Sequence, residues 1–242
     1  MSPCYCPDTT PADGMMATAK RVGLNPYLYG VGQQINTNCS NAQGTDMIAL
    51  VESRSESHIL CVDCMDVAFL AGELEIMEKF LSFNTGLVVS TEREGIAGLA
   101  RTKERLHQMC NADGGYHPQL NIGAWIGERE YAVHCFREAE RLWRHRPEDP
   151  SYNYDVLPQW LMQMKSGIGV GGVDVGPEGP EFALDWRCEM FQSMNMADVT
   201  MVGDRALNNV TGTTPVLLHY NGDKTYGAHR EMVRGLMAWD AR

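Results

Sequence analysis

The chain has 242 residues, of which 44% are hydrophobic and 21% charged, a composition typical of one globular domain with a sizeable core. Its 31 Asp and Glu residues outnumber its 20 Lys and Arg residues, and the net charge of −11 argues against a strong sequence-independent grip on nucleic acid. No apolar run approaches the ~20 residues that a membrane-spanning helix needs, so no membrane partner is expected.

Strands and helices are predicted to alternate along the chain. We expect strands near residues 4–6, 27–31, 59–62, 86–90 and 214–219. We expect helices ending near residue 23 and covering residues 45–52, 73–80, 99–110, 128–145 and 226–240. This alternation predicts a three-layer α/β fold with a mostly parallel central sheet, in a single domain covering residues 1–242.

The cysteines and the N-terminus bear on the compartment. The eight cysteines are scattered, and several lie in apolar segments, which favours reduced, buried thiols over a disulfide framework. The N-terminal residues lack the basic region and the apolar core of a signal peptide. Together these features predict a cytoplasmic protein.

The central strand is followed by two aspartates, Asp63 and Asp66, three positions apart. Open α/β sheets place their chemistry at the C-terminal edge of the strands, and paired carboxylates there suit a hard divalent cation such as Mg²⁺ or Mn²⁺. The alternative is that the two aspartates only end a strand and begin a turn.

Several stretches resemble, in order, the glycosyltransferase domain of procollagen lysyl hydroxylases, a GT-A-type nucleotide-sugar transferase domain. The matching segments are residues 8–14 with 19–21 and 28–32, 62–67, 120–127, 155–160, 184–192 and 216–222. The resemblance covers nearly the whole chain and implies a GT-A (Rossmann-like) fold that binds a UDP-sugar and a divalent cation.

The resemblance implies a role for particular residues. The metal ligands would be Asp63, Asp66 and His219, a set that is chemically sensible for Mn²⁺ or Mg²⁺. The donor would contact Thr9, Asp63, Gly123, Asn221, Gly222 and Lys224. Asn121 would position the sugar, and Asp155 would lie near the acceptor hydroxyl or the sugar. Each role has a structural alternative. His219 can be a strand-end histidine bonded to backbone, Asp155 a helix cap, Lys224 a surface lysine, and residues 120–123 a strand with a bulge.

The function implied is transfer of glucose or another hexose from a UDP-sugar to a hydroxyl group. A stand-alone, cytoplasmic relative resembles the viral and protist enzymes that glycosylate hydroxymethylated pyrimidines such as hydroxymethylcytosine in DNA, which would place a viral protein in the host cytoplasm. DNA would need a local basic strip, for which the candidates are Arg93, Arg101, Lys103, Arg105, Arg141, Arg144 and Arg146. The alternatives are a protein hydroxyl of the hydroxylysine type and a non-catalytic domain that binds sugar nucleotides.

Two further motifs are interpreted structurally. Cys61 and Cys64 have the spacing of a redox or zinc pair, but they lie on or beside the central strand, so we expect buried thiols. The glycine-rich segment 167–172 lacks the strand–loop–helix context of a dinucleotide-binding loop and is expected to form a hairpin or a flexible flap.

Overall fold

The computed structural model describes residues 1–3, 12–32, 47–94, 100–144, 161–162, 164–167, 179–221 and 226–239. Residues 47–52 are helical, and the labelled helices are α1 (Asp13–Arg21), α2 (Glu73–Ser82), α3 (Ala100–Ala112), α4 (Arg129–Arg144) and α5 (Tyr226–Trp239). The strands are β1 (Ser2–Pro3), β2 (Leu28–Tyr29), β3 (His58–Val62), β4 (Val67–Phe69), β5 (Leu87–Glu92), β6 (Gln119–Glu128), β7 (Ala183–Leu184), β8 (Phe191–Ser193), β9 (Val199–Val202), β10 (Arg205–Asn208) and β11 (Leu217–His219). Among the described residues, no helix is both long and apolar enough to cross a membrane.

Helix α1 ends in a Schellman motif that the sequence encodes with a glycine. Gly23 adopts a φ of 79°, and the amide of Leu24 donates to the carbonyl of Ala19 at 2.8 Å. A left-handed residue after a helix is easiest for glycine, because glycine has no β-carbon to clash. Helix α3 ends in the same way, with Gly114 at a φ of 65°. The predicted end of α1 near residue 23 is therefore confirmed.

The central sheet has the strand order β3-β6-β5-β7. Strand β6 is antiparallel to both β3 and β5, whereas β5 and β7 are parallel. The α/β class is confirmed. Strands β3, β5 and β7 run in the same direction and β6 runs opposite to them, so the sheet is mixed through this one reversed strand. Glu92 at the end of β5 pairs with Gln119 at the start of β6, so the chain re-enters the sheet at the end where it left. The alternation of helices and strands in the sequence does not reveal whether the segment between two strands returns the chain to the same end of the sheet or carries it to the opposite end.

A second, smaller sheet has the order β4-β11-β8. Strand β11 is antiparallel to β4 and parallel to β8, and His219 stands opposite both Val67 and Ser193. Strands β9 and β10 form a separate antiparallel pair, and β1 and β2 pair in parallel. The sequence analysis did not anticipate β4 or β7–β10 as strands, because segments of two to four residues are too short for a period to be recognised. The strand predicted at residues 4–6 lies outside the described residues.

The central sheet separates two apolar cores, as a three-layer fold requires. Leu87 and Val89 on β5 face one core, and Val88 between them faces the other. In the first core, Trp125 on β6 packs edge-to-face against Phe136 on α4, with ring centroids 5.0 Å apart. Alternating strand residues are thus buried on both faces, which explains why the strands read as continuous apolar runs.

The described cysteines are buried thiols, as predicted. Cys61, Cys64, Cys110, Cys135 and Cys188 are buried and form no disulfide. Burial raises the pKa of the Cys61 thiol to about 12. Cys61 belongs to the first core and Cys64 to the second, so the sheet separates the two sulfurs. Their spacing therefore reflects strand alternation and not a redox or zinc pair.

Candidate metal and donor site

The two aspartates lie where the chain passes from the central sheet to the second sheet. Strand β3 ends at Val62, Asp63 and Asp66 occupy the connecting turn, and β4 begins at Val67. The turn is fixed at both ends by backbone hydrogen bonds. The amide of Asp63 donates to the carbonyl of Gly123 at 2.8 Å, and the amide of Tyr220 donates to the carbonyl of Asp66 at 2.7 Å. This transition is an edge at which side chains from both sheets can meet.

His219 joins the aspartates through the register of β11. Its pairing with Val67 sets it beside Asp66. Its Nε2 atom lies 3.3 Å from Oδ2 of Asp63 and 3.5 Å from Oδ1 of Asp66. One ligand atom from each of the three residues falls within a span of 4.8 Å. The structure therefore brings the three predicted metal ligands together.

The electrostatics of this cluster favour a positive charge at its centre. Burial lowers the pKa of His219, but the neighbouring carboxylates of Asp63 and Asp66 outweigh that effect and raise it to about 10. Within the described part of the chain, neither ring nitrogen of His219 makes a hydrogen bond of good geometry. A buried imidazole facing two carboxylates without a hydrogen bond fits the donor set of a divalent cation.

Exposure differs sharply among the three side chains. The side chain of Asp63 is 49% exposed, that of Asp66 10% and that of His219 3%. Two ligands are thus held in the protein interior while the third faces solvent. A cation held here would keep coordination positions open on the side of Asp63, as a site that binds an exchangeable substrate requires.

Gly123 is adjacent to the cluster and leaves no room for a side chain. A β-carbon on this residue would lie 2.6 Å from Oδ2 of Asp63 and 2.9 Å from Oδ1 of Asn121, and it would collide with Cε1 of His219. Only glycine allows the backbone of β6 to approach the three candidate ligands this closely. The backbone at Gly123 therefore lies directly against Asp63 and His219.

Asn121 lies in an irregular part of β6. Between the pairs Val89–Trp125 and Thr91–Leu120 the two strands shift register, so β6 carries extra residues there. Oδ1 of Asn121 accepts a hydrogen bond from the amide of Gly123 at 2.8 Å. The amide oxygen of Asn121 thus shapes the bulge that brings Gly123 to the cluster. A bulge was the structural alternative for residues 120–123, and it is compatible with a role in the site.

Asn221 is fixed by two side chains that the sequence analysis did not select. Its Nδ2 donates to Oε2 of Glu92 at 2.5 Å, and its Oδ1 accepts from Oγ of Ser193 at 2.6 Å. Glu92 is the last residue of β5, Ser193 is the last residue of β8, and Asn221 follows the end of β11 by two residues. Three strand ends therefore meet beside Asp63, Asp66 and His219. The rule that chemistry gathers at strand ends could have identified Glu92, since the preceding strand was predicted.

Asp185, in a segment that carries the resemblance, has a structural role. It is buried, and its carboxylate accepts hydrogen bonds from the amides of Glu189, Met190 and Phe191 at 2.7–2.9 Å. Burial raises the pKa of Asp185 to about 6, although these three bonds oppose that shift. The residue holds the turn that leads into β8.

Four predicted site residues lie outside the described residues, namely Thr9, Asp155, Gly222 and Lys224. The glycine-rich segment 167–172 is described only at Gly167. The predictions made for them stay predictions.

Comparison with known proteins places the fold. A glycosyltransferase involved in the glycosylation of the major capsid of PBCV-1 is similar over 96% of this chain and 96% of its own, with a TM-score of 0.50 and 12% identity. Mouse xyloside xylosyltransferase 1 in its apo form is similar over 87% of this chain and 70% of its own, with a TM-score of 0.39 and 13% identity. No protein-family model and no curated protein sequence matches the chain.

The fold is therefore the GT-A type of glycosyltransferases, with a mixed central sheet. At this level of identity the similarity carries the fold alone. The more specific resemblance to lysyl hydroxylases is not shown by these comparisons, and it stays a prediction.

Proposed function

We propose that this protein is a divalent-metal-dependent glycosyltransferase that moves a hexose from a UDP-sugar to an acceptor hydroxyl. The observation that carries the proposal is the meeting of Asp63, Asp66 and His219 around Gly123, at the sheet edge of a GT-A-type fold. Fold similarity alone would allow a non-catalytic protein, whereas a cluster of two carboxylates and an imidazole has a defined chemical use.

The donor set suits Mn²⁺ better than Mg²⁺, because imidazole is a poorer ligand for the harder ion. When bound, the cation would neutralise charge on the diphosphate that leaves as the sugar is transferred. Asp66 and His219, both nearly buried, would fix its position, while the half-exposed Asp63 faces the side from which a donor can approach.

The remaining donor contacts follow the resemblance. Gly222 follows Asn221 directly and Lys224 comes two residues later, and the side chain of Asn221 is bonded to Glu92 and Ser193. We assign this segment to the diphosphate, Thr9 to the nucleotide, and Asp155 to the region of the acceptor hydroxyl.

For the acceptor we propose a hydroxymethylated pyrimidine in DNA, which must leave the base stack to be modified. Among the seven basic candidates, Arg141 pairs with Glu138 and the guanidinium of Arg93 contacts Tyr116. We assign contact with phosphate to a local strip drawn from these basic residues, of which Arg101, Lys103 and Arg105 belong to α3 and Arg144 ends α4. Such an encounter would be weak and strongly dependent on salt.

The test has two stages. Purified protein is first incubated with UDP-sugars with and without Mn²⁺, and release of UDP by hydrolysis is followed. We expect slow, Mn²⁺-dependent release, and failure to bind or hydrolyse any UDP-sugar would leave a non-catalytic domain or another donor class.

Mass spectrometry then follows sugar incorporation into DNA containing hydroxymethylcytosine or hydroxymethyluracil and into hydroxylysine peptides, at low and moderate salt. Transfer to the DNA at low salt supports the acceptor proposal. Transfer to the peptides alone would replace it with a protein acceptor.

A further inference from the structure

Gln119 is a buried side chain at the same sheet edge that neither the sequence analysis nor the donor assignment uses. It begins β6 and is 3% exposed. Its partner across the sheet is Glu92, which ends β5. Directly paired residues of antiparallel strands project from the same face of a sheet. Gln119 and Glu92 therefore lie on one face, side by side.

Asp63, Asp66 and His219 lie on that same face. Val88, which shares the face of Glu92 on β5, belongs to the core that also contains Val62 and Val67, the residues flanking Asp63 and Asp66. Glu92 itself reaches Asn221 at 2.5 Å. Asn221 follows His219 by two residues, a distance of about 7 Å along extended chain. Gln119 is thus separated from Asn221 by the side chain of Glu92 alone.

The amide of Gln119 is incompletely paired. Across the residues that the structure describes, its Oε1 atom is buried and has no hydrogen-bond partner. Gln192, another buried glutamine nearby, shows the usual arrangement, since its Oε1 accepts from Nδ2 of Asn208 at 2.6 Å and its Nε2 donates to the carbonyl of Ser193 at 2.7 Å. An unpaired buried amide is costly to folding, which favours a role that a ligand completes.

We propose that Gln119 binds a hydroxyl group of the donor sugar and thereby helps to select it, an inference that rests on the proposed function. A neutral amide presents both a donor and an acceptor, which match a hydroxyl group. The proposal places the sugar of a diphosphate held by Asp63, Asp66 and His219 on the side of Glu92 and Gln119, which lie beside Asn221 on the same face of the sheet. A pocket that pairs with a hydroxyl rejects analogues that lack it, because the protein group is then left unpaired.

The test compares Gln119→Leu with the same substitution at Gln192. Calorimetry measures the affinity for UDP and for UDP-glucose, both with Mn²⁺ and without an acceptor. For Gln119→Leu we expect UDP affinity within about twofold of the wild type and UDP-glucose affinity roughly five- to tenfold weaker, the effect of one neutral hydrogen bond. Its melting temperature should not fall, because an unpaired polar atom has been removed. Gln192→Leu should lower the melting temperature, because it leaves Asn208 and Ser193 unpaired.

UDP-glucose analogues that each lack one hydroxyl identify the contact. The wild type should bind one of them more weakly than UDP-glucose, and Gln119→Leu should lose that discrimination. Equal binding of UDP-glucose by the wild type and Gln119→Leu would overturn the inference and leave the proposed function intact. Equal weakening of UDP and UDP-glucose would assign Gln119 a structural role, as would failure of both Gln119→Leu and Gln119→Met to fold. A wild type that binds neither ligand would contradict the proposed function itself, and this inference with it.

Discussion

Gly123 and His219, from different sheets, approach so closely that a β-carbon on residue 123 would collide with Cε1 of the imidazole. The same β-carbon would lie 2.6 Å from Oδ2 of Asp63. The amide of Asp63 donates to the carbonyl of Gly123 at 2.8 Å, and the backbone of His219 pairs with β4 and β8, so both backbones are held in place. The predicted cation site is therefore sensitive to a single methyl group.

We expect Gly123→Ala to weaken Mn²⁺ binding by roughly ten- to hundredfold, since overpacking costs about 1–3 kcal/mol and each 1.4 kcal/mol is a factor of ten. Electron paramagnetic resonance of free Mn²⁺ during titration measures the affinity. Gly235→Ala is the matched control, because on α5 no described atom lies within 4 Å of the added carbon. It should leave Mn²⁺ binding unchanged and raise stability by about 0.5–1 kcal/mol. Wild-type Mn²⁺ affinity in Gly123→Ala would contradict this reading of the site.

Asp63→Ala and Asp66→Ala are each expected to abolish transfer and leave the protein folded. Asp63 is 49% exposed at its side chain, so its loss removes few packing contacts. Each change should weaken Mn²⁺ binding by on the order of 100-fold, the upper range for disrupting the surroundings of a bound metal. Transfer assays at saturating Mn²⁺, with circular dichroism to check folding, test this. Asp198→Ala, at an exposed aspartate before β9, is the control and should leave transfer and Mn²⁺ binding unchanged. Normal turnover in either site variant would rule out the metal assignment.

His219→Ala is expected to weaken UDP binding in Mn²⁺ by at least about tenfold and to remove most of the difference between affinities with and without Mn²⁺. His229→Ala is the comparison. His229 is also buried and near the site, but its Nε2 donates to the carbonyl of Val67 at 3.1 Å, so its removal should lower the melting temperature and retain the Mn²⁺ effect. Calorimetry and thermal melts of both variants measure this. If Mn²⁺ increases the UDP affinity of His219→Ala as much as that of the wild type, His219 is not a metal ligand and only packs in the interior.

His117 predicts a loss of stability in acid. It is fully buried, with Nδ1 3.3 Å from the carbonyl of Thr91, and Nε2 has no partner among the described residues. Burial lowers its pKa from 6.5 to about 4, because a proton on Nε2 would place an unpaired charge in the interior. Between pH 6.5 and 4 the unfolded chain binds this proton and the folded protein does not. This contribution is therefore complete above pH 6.5 and is lost as the pH falls toward 4, by on the order of 3 kcal/mol.

Urea denaturation of the wild type and His117→Asn across this pH range tests the prediction, since asparagine retains a donor for Thr91. The difference between the two free energies of unfolding should change by about 1.4 kcal/mol per pH unit at its steepest. His107→Asn, at an exposed histidine of α3, controls for the loss of a histidine. A difference that is constant with pH would show that His117 does not titrate in this way.

Local sequence patterns predicted the α/β class, the labelled helices and the strands now numbered β2, β3, β5 and β11. Apolar period and glycine stops act over neighbouring residues, as the end of α1 at Gly23 illustrates. The sequence also indicated Asp63 and Asp66, because paired carboxylates after an apolar strand suit a cation, and the resemblance to the lysyl hydroxylase glycosyltransferase domain implied His219 as the third ligand. It did not predict that β6 runs opposite to β3, β5 and β7, since the direction of a strand depends on where the chain returns to the sheet.

Tertiary structure alone decided which of these residues meet. Asn221 and Glu92 are 129 positions apart, and only the packing of β5 against the second sheet brings them to 2.5 Å. The close contacts around Gly123 and the unpaired Oε1 atom of Gln119 likewise depend on strand register. They arise from the bulge in β6 and from the pairing of β6 with β5. A shift of one residue along a strand would turn these side chains to the opposite face. Residue type thus supplies the chemistry of the site, and strand register determines its geometry.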